Sequence, residues 1–155
     1  MEVLMPEGLP HNPYFLGDLQ PTARLAAALP ALGAWDALPT VITTAGMDHA
    51  LIVCAYLRGA AGGAYEIAVW TSTVSSGASW ARTSIYDAGA VAINTDTTSS
   101  LQAEGIEYGA TSANLEAVTY GPLALNGAVE RMYIAARETG VVGTPGQLSI
   151  TVFLT

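Results

Sequence analysis

Residues 127–155 read GAVERMYIAARETGVVGTPGQLSITVFLT, and the fold is decided there. In the second half, Leu148, Ile150, Val152 and Leu154 alternate with Gln147, Ser149, Thr151 and Phe153. In the first half, Met132, Ile134 and Ala136 alternate with Arg131, Tyr133, Ala135 and Arg137. A period of two marks strands with one face against a core. Between them runs Gly140-Val-Val-Gly-Thr-Pro-Gly146, whose glycines permit positive φ and whose Pro145 lacks a ladder donor. The expectation is a long hairpin whose apolar face the rest of the chain must cover.

Working back from it, the β pattern extends to Val41. The run Val41-Ile-Thr-Thr44 is short, and His49 to Leu57 is nearly continuous in apolar residues, as in a central strand. Gly59-Ala-Ala-Gly-Gly63 is read as a turn, followed by Tyr65 to Val74 with Tyr65, Ile67 and Val69 on one face. Shorter strands are expected over 80–86 and 90–94, and another over 115–120, with Gly121-Pro122 turning the chain. The segment 101–108 is ambiguous between structures. Short strands with Gly-rich turns and no long helical period predict an all-β antiparallel sandwich, jelly-roll-like, over residues 40–155. The expected core is Leu51, Val53, Ile67, Val69, Met132, Ile134, Ile150 and Val152.

Residues 1–39 differ in style. Prolines stand at 6, 10, 13, 21, 30 and 39, with only Pro122 and Pro145 beyond. Proline so spaced breaks helices and central strands alike, and leaves only Thr22 to Leu29 room for a helix of barely two turns. Yet apolar anchors recur: Leu4, Met5, Leu9, Tyr14, Phe15, Leu16 and Trp35. A solvated tail rarely carries so many. The expectation is an extended arm that docks through these residues, on its own domain or on a neighbouring subunit.

Charged residues make up only 12% of the 155, so much of the surface is weakly polar and suited to burial in an assembly. The net charge is −8 and all five basic residues are arginines; nucleic-acid binding, which draws on Lys and Arg to neutralise phosphates, is not expected. One cysteine, Cys54 within LIVCAYL, rules out an internal disulfide framework and reads as a buried inert thiol. Neither a leader with a positive n-region nor an apolar run of membrane-spanning length is visible, which leads to the expectation of a soluble protein with no membrane partner.

Catalytic groupings are weak. Asp48 and His49 are adjacent, and on a strand they point to opposite faces, so His49 is read as a strand-start histidine near solvent. There is no Gly-x-Ser-x-Gly elbow. His11, in Pro10-His-Asn-Pro13, lacks clustered partners for a metal. Asn94-Thr-Asp96 begins like a calcium loop without completing it. The acidic residues Asp87, Asp96, Glu104, Glu107, Glu116, Glu130 and Glu138 are scattered. No cofactor, metal or catalytic residue is expected. Trp70, Trp80, Tyr65, Tyr86, Tyr108, Tyr120 and Tyr133 offer either a sugar-stacking platform or, as is commoner in strands, core and cross-strand pairs.

The segments Glu130–Gly140 and Gly143–Val152 together resemble the end of small virion proteins of tailed phages: an aliphatic strand with arginines, a Thr-Gly corner, a Thr-Pro loop and an alternating terminal strand. Ala50–Arg58 and Val69–Thr73 also look like their earlier core strands. Among such proteins are capsid decoration, or cement, proteins. The resemblance implies a β-sandwich on the outer capsid surface, made in the host cytoplasm. It implies the major capsid protein as partner, self-association commonly as a homotrimer, and no catalytic residues. The proline-rich arm departs from the pattern and leaves a tail, neck or fibre location open. A carbohydrate- or receptor-binding sandwich module is the alternative, and a small hydrolase on the same scaffold the third reading.

Overall fold

The computed structural model describes residues 21–30, 34–37, 39–83, 85–86, 92–93, 106–140 and 143–155. Among these there is no helix. Eleven strands follow in order: β1 (Thr22–Ala28), β2 (Ile42–Thr43), β3 (His49–Leu57), β4 (Ala64–Ser72), β5 (Ala81–Thr83), β6 (Ile85–Tyr86), β7 (Ala92–Ile93), β8 (Ile106–Gly109), β9 (Glu116–Ala124), β10 (Arg131–Glu138) and β11 (Gln147–Leu154).

Two antiparallel sheets carry the domain. Sheet A has the order β1-β11-β3-β9. Sheet B has the order β2-β10-β4-β5, and β8 pairs with the first half of β4 while β5 pairs with the second. A small β6–β7 ladder forms a third sheet, with β6 lying near β9. The pairing is concentric: β1 with β11, β2 with β10, β3 with β9, and β4 with β5 and β8. Strands that pair first with last, second with second-last and so inward, then divide between two sheets, form a jelly roll. The all-β sandwich expected from the sequence is therefore present.

The alternation that decided the fold is reproduced residue by residue. Met132, Ile134 and Ala136 are buried from sheet B, and Leu148, Ile150, Val152 and Leu154 from sheet A. Ile67 and Val69 join them, with Tyr65 on the same face of β4. A fully buried side chain of this size is worth roughly 1.5–3 kcal/mol in transfer free energy.

Four expectations are corrected. First, β10 and β11 do not form a hairpin. Each pairs with other strands in a different sheet, so the chain after Glu138 crosses as an arch from sheet B to sheet A, with 139–140 and 143–146 its described residues. Period-two patterning says that each strand has a buried face; it does not say in which sheet. The Gly59–Gly63 connection is likewise an arch, from β3 in sheet A to β4 in sheet B.

Second, the inward face of β3 is Ala50, Ile52, Cys54 and Tyr56, whereas Leu51 and Val53 face outward and are only half-buried. The run is apolar on both faces, so its alternation carries no register, and a slip of one residue exchanges the faces.

Third, Thr22–Ala28 is an edge strand on β11, not a helix, so this part of the expected arm lies in sheet A. The prolines at 21 and 30 bracket the strand rather than cap a helix, and the carbonyl of Pro21 accepts from the Val152 amide at 3.1 Å.

Fourth, Gly121-Pro122 does not turn the chain. Strand β9 runs through it with a register shift against β3 between the Ala50 and Ile52 pairings, and Gly121 has φ of 107°. A proline is tolerated at such an irregularity because no ladder donor is required of it.

Candidate functional site

Three places concentrate the polar and aromatic chemistry. The first is internal. Glu138 ends β10 on the inward face, continuing the series of Met132, Ile134 and Ala136, and is fully buried. Its Oε1 accepts from the amides of Ala64 at 2.8 Å and Gly140 at 3.2 Å. Its Oε2 accepts from the Tyr56 hydroxyl and the Gly146 amide, both at 2.9 Å. These four donors come from β3, from the first residue of β4 and from two glycines of the arch after β10, so one carboxylate joins the two sheets where the chain crosses between them. The arches touch closely enough that a Cβ on Gly140 would meet the Gly62 carbonyl, and one on Gly146 the Tyr56 ring. Burial, with the hydrogen bond to Glu138, pushes the Tyr56 phenol pKa upward.

The same interior holds an aromatic group. Tyr65 packs edge-on against Tyr56 at 5.0 Å between centroids and lies 5.6 Å from Tyr108. Its hydroxyl and that of Tyr120 share a 2.8 Å hydrogen bond. Cys54 lies beside it, its thiol pushed up to about 12 by burial, with a hydrogen bond to Tyr65 in partial opposition. Tyr108 donates to Glu116, which also accepts from Thr111 and from the Ser112 amide. The Thr111 hydroxyl above all lowers the Glu116 carboxyl to about 2.

The second place is the outer face of sheet B. Tyr133 and Trp70 stand opposite each other across β10 and β4, their rings near-parallel at 6.0 Å. Trp80 meets Tyr133 edge-on at 4.7 Å, and the Arg131 guanidinium lies over the Trp80 ring at 4.7 Å. Arg131 also donates to the carbonyls of Val74 at 2.8 Å and Gly77 at 3.0 Å, which fixes the 73–80 connection beside the rings. Further along, Arg137 pairs with Glu66 at 2.6 Å and covers the Trp35 ring at 4.4 Å. Asp36, next to Trp35, exchanges hydrogen bonds with the Ala136 backbone and pairs with Arg24 of β1 at 2.9 Å. It ties the edge of sheet A to the edge of sheet B.

The aromatics therefore sort into two sets. Tyr65, Tyr108 and Tyr120 belong to the interior, whereas Trp70, Trp80 and Tyr133 share the outer face of sheet B. Sequence periodicity missed that division because it does not say which strand neighbours which.

The third place is the outer face of sheet A. On three of its strands the outward positions are 49, 51, 53, 55 and 57 on β3, 117, 119 and 124 on β9, and 147, 149, 151 and 153 on β11. None is Asp, Glu, Lys or Arg. Leu51 stands opposite Phe153, and Val53 between Thr151 and Thr119. Leu57 is exposed at 37%. These positions are weakly apolar and uncharged, on a chain of net charge −8.

Of the residues read as partner-binding, Trp35 sits on its own β10 as described. Leu4, Met5, Leu9, Tyr14, Phe15 and Leu16 lie outside the described residues, as do His11, Asp87, Asn94, Asp96 and Glu104. Asp48 and His49 are both exposed at the start of β3, where their amides donate to the Thr155 carbonyl. Among the described residues, no three His, Cys, Asp or Glu side chains group as metal ligands. Comparison with models of protein families, with curated proteins and with solved structures gives no match.

Proposed function

We propose that the protein is a structural virion component, a capsid decoration protein that stabilises a phage head by bridging neighbouring capsid subunits. The observation that carries this reading is the uncharged outer face of sheet A. Weakly apolar, uncharged surface of this kind is stabilised by being covered, and in a symmetric lattice each such contact is repeated many times. Contacts of modest strength then suffice, and no reactive group is needed. The jelly roll supports the reading only at the level of architecture, because viral capsid and lectin domains share it. The resemblance of the β10–β11 region to small virion proteins points the same way.

The test is to mix purified protein with shells of the phage whose genome encodes it, then sediment them. Saturable binding at a fixed ratio to the major capsid protein, with a higher temperature of shell disruption, is expected. Protein left in the supernatant at all ratios would defeat the proposal.

The Trp70, Trp80 and Tyr133 group supports one competing reading, a carbohydrate-binding module. Aromatic rings on an outer sheet face suit the stacking of sugar rings. Saccharide-dependent quenching of tryptophan fluorescence, lost in Trp70→Ala, would favour that reading over the first.

A further inference from the structure

We infer that the outer face of sheet A is the seat for residues 1–20 of a second copy of this chain. The inference rests on the assembly reading only in supposing that this face is covered. Its own support is the direction and length of the chain before β1.

Strand β1 pairs antiparallel with β11, Thr22 opposite Thr151, and the Pro21 carbonyl receives the Val152 amide. Followed backwards, the chain at Pro21 is therefore heading along β11 toward Leu154 and the end of the sheet. Only two residues of β11 remain beyond Val152. The described chain thus points off the end of its own sheet at Pro21, and an arm that covered its own face would have to reverse that direction. Twenty residues at roughly 3.1–3.6 Å each reach about 60–70 Å. The four strands of sheet A, at about 4.8 Å spacing, are only about 15 Å across. The segment is long enough to cross a neighbouring sheet completely.

Chemistry matches the two surfaces. Residues 1–20 carry Leu4, Met5, Leu9, Tyr14, Phe15 and Leu16, and neither Lys nor Arg. The acidic groups of the arm, Glu2, Glu7 and Asp18, would meet no repelling carboxylate at the outward positions of β3, β9 and β11, which carry none. Leu51, Val53 and Phe153 supply its apolar centre. Prolines at 6, 10 and 13 restrict the free arm and lower the entropy lost on docking.

The test uses the full chain. Light scattering should give a mass that is a multiple of one chain. Val53→Arg and Thr151→Arg, made separately, put charge at the middle of the face on the solvent side. Each should reduce that mass to a monomer with the unfolding midpoint little changed. A monomeric parent protein, or an oligomer that survives both substitutions, overturns the inference. A mixture of Leu16→Cys chains with Thr151→Cys chains, oxidised gently, should give a disulfide-linked pair containing one of each. A chain carrying both Leu16→Cys and Thr151→Cys is the control: if it closes the bond within itself while the mixture gives no linked pair, the arm covers its own face and the inference is overturned. No shell is present in these measurements. Arm exchange without shell binding would remove the decoration reading and leave this inference standing, and the converse result would do the opposite.

Discussion

Substituting Glu138 by glutamine probes the join between the sheets while keeping side-chain shape. The carboxylate faces four donors, two at each oxygen. Glutamine offers one oxygen and one N–H2 group. If the N–H2 replaces Oε1, it confronts the amides of Ala64 and Gly140, neither of which can turn away. If it replaces Oε2, the Tyr56 hydroxyl can rotate to accept, and only the Gly146 amide is left facing a donor. The second placement is therefore the cheaper one. It still leaves a buried N–H unsatisfied, at about 1–3 kcal/mol, and exchanges charge-assisted bonds for neutral ones of about half the strength. Relief from burying a charge works in the opposite direction, but the carboxylate's four donors already offset most of that cost. The net loss is roughly 2–5 kcal/mol, a fall in Tm of about 5–15 °C for a chain of this length. Urea unfolding followed by tryptophan fluorescence measures it directly. A Glu138→Gln protein with the parent's midpoint would refute the argument that this side chain ties β3 and the start of β4 to the arch after β10.

Strand β3 offers a paired measurement: Ile52→Ala should cost about 2–5 kcal/mol, as should Ile134→Ala on β10, whereas Val53→Thr should stay below about 1 kcal/mol. Equal losses at Ile52 and Val53 would mean that the inward face of β3 has been assigned wrongly. Cys54, buried and with its thiol pushed up to about 12, should resist thiol reagents at neutral pH until the chain unfolds; prompt labelling of native protein would contradict its placement. The Glu116 carboxyl, lowered from an ordinary 4.5 to about 2, contributes stability that is fully present above about pH 4.5 and is lost as pH falls through about 2. Thr111→Ala removes its leading hydrogen bond, so NMR titration should show the Glu116 midpoint moving up in that variant, and an unmoved midpoint would count against the hydroxyl as the main cause.

The alternation in 131–154 contained most of the architecture: both strands, their buried faces and an all-β class followed from side-chain spacing alone. What it could not contain was partnership. A strand's pattern records that one face meets a core, and β10 and β11 would read identically as neighbours in one sheet or as members of opposite sheets. At Ala50–Leu57 even the face was hidden, because both sets of alternate residues are apolar. Glu138 carried an unused signal: it falls in register with Met132, Ile134 and Ala136, and a carboxylate on an inward position needs donors brought to it. The uncharged face of sheet A was legible only once β3, β9 and β11 were known to be adjacent. In the sequence, its residues are scattered across a hundred positions.

The concentric pairing of the strands also sets an order of events during synthesis. Strand β11 lies between β1 and β3 and pairs with each, so β1 has no ladder and β3 lacks one of its two until residues 147–154 have been made. Through most of translation, β1 and β3 have partners that do not yet exist, and the apolar faces of Ile52 and Tyr56 wait uncovered. Contacts between residues more than a hundred positions apart, such as Thr22 with Thr151, close late and slow folding. The nascent chain is thus exposed to wrong strand pairing for almost its whole time on the ribosome. Ribosome-release conditions that crowd many unfinished copies together would favour aggregates over native subunits, and the insertion of β11 is the step that ends the hazard.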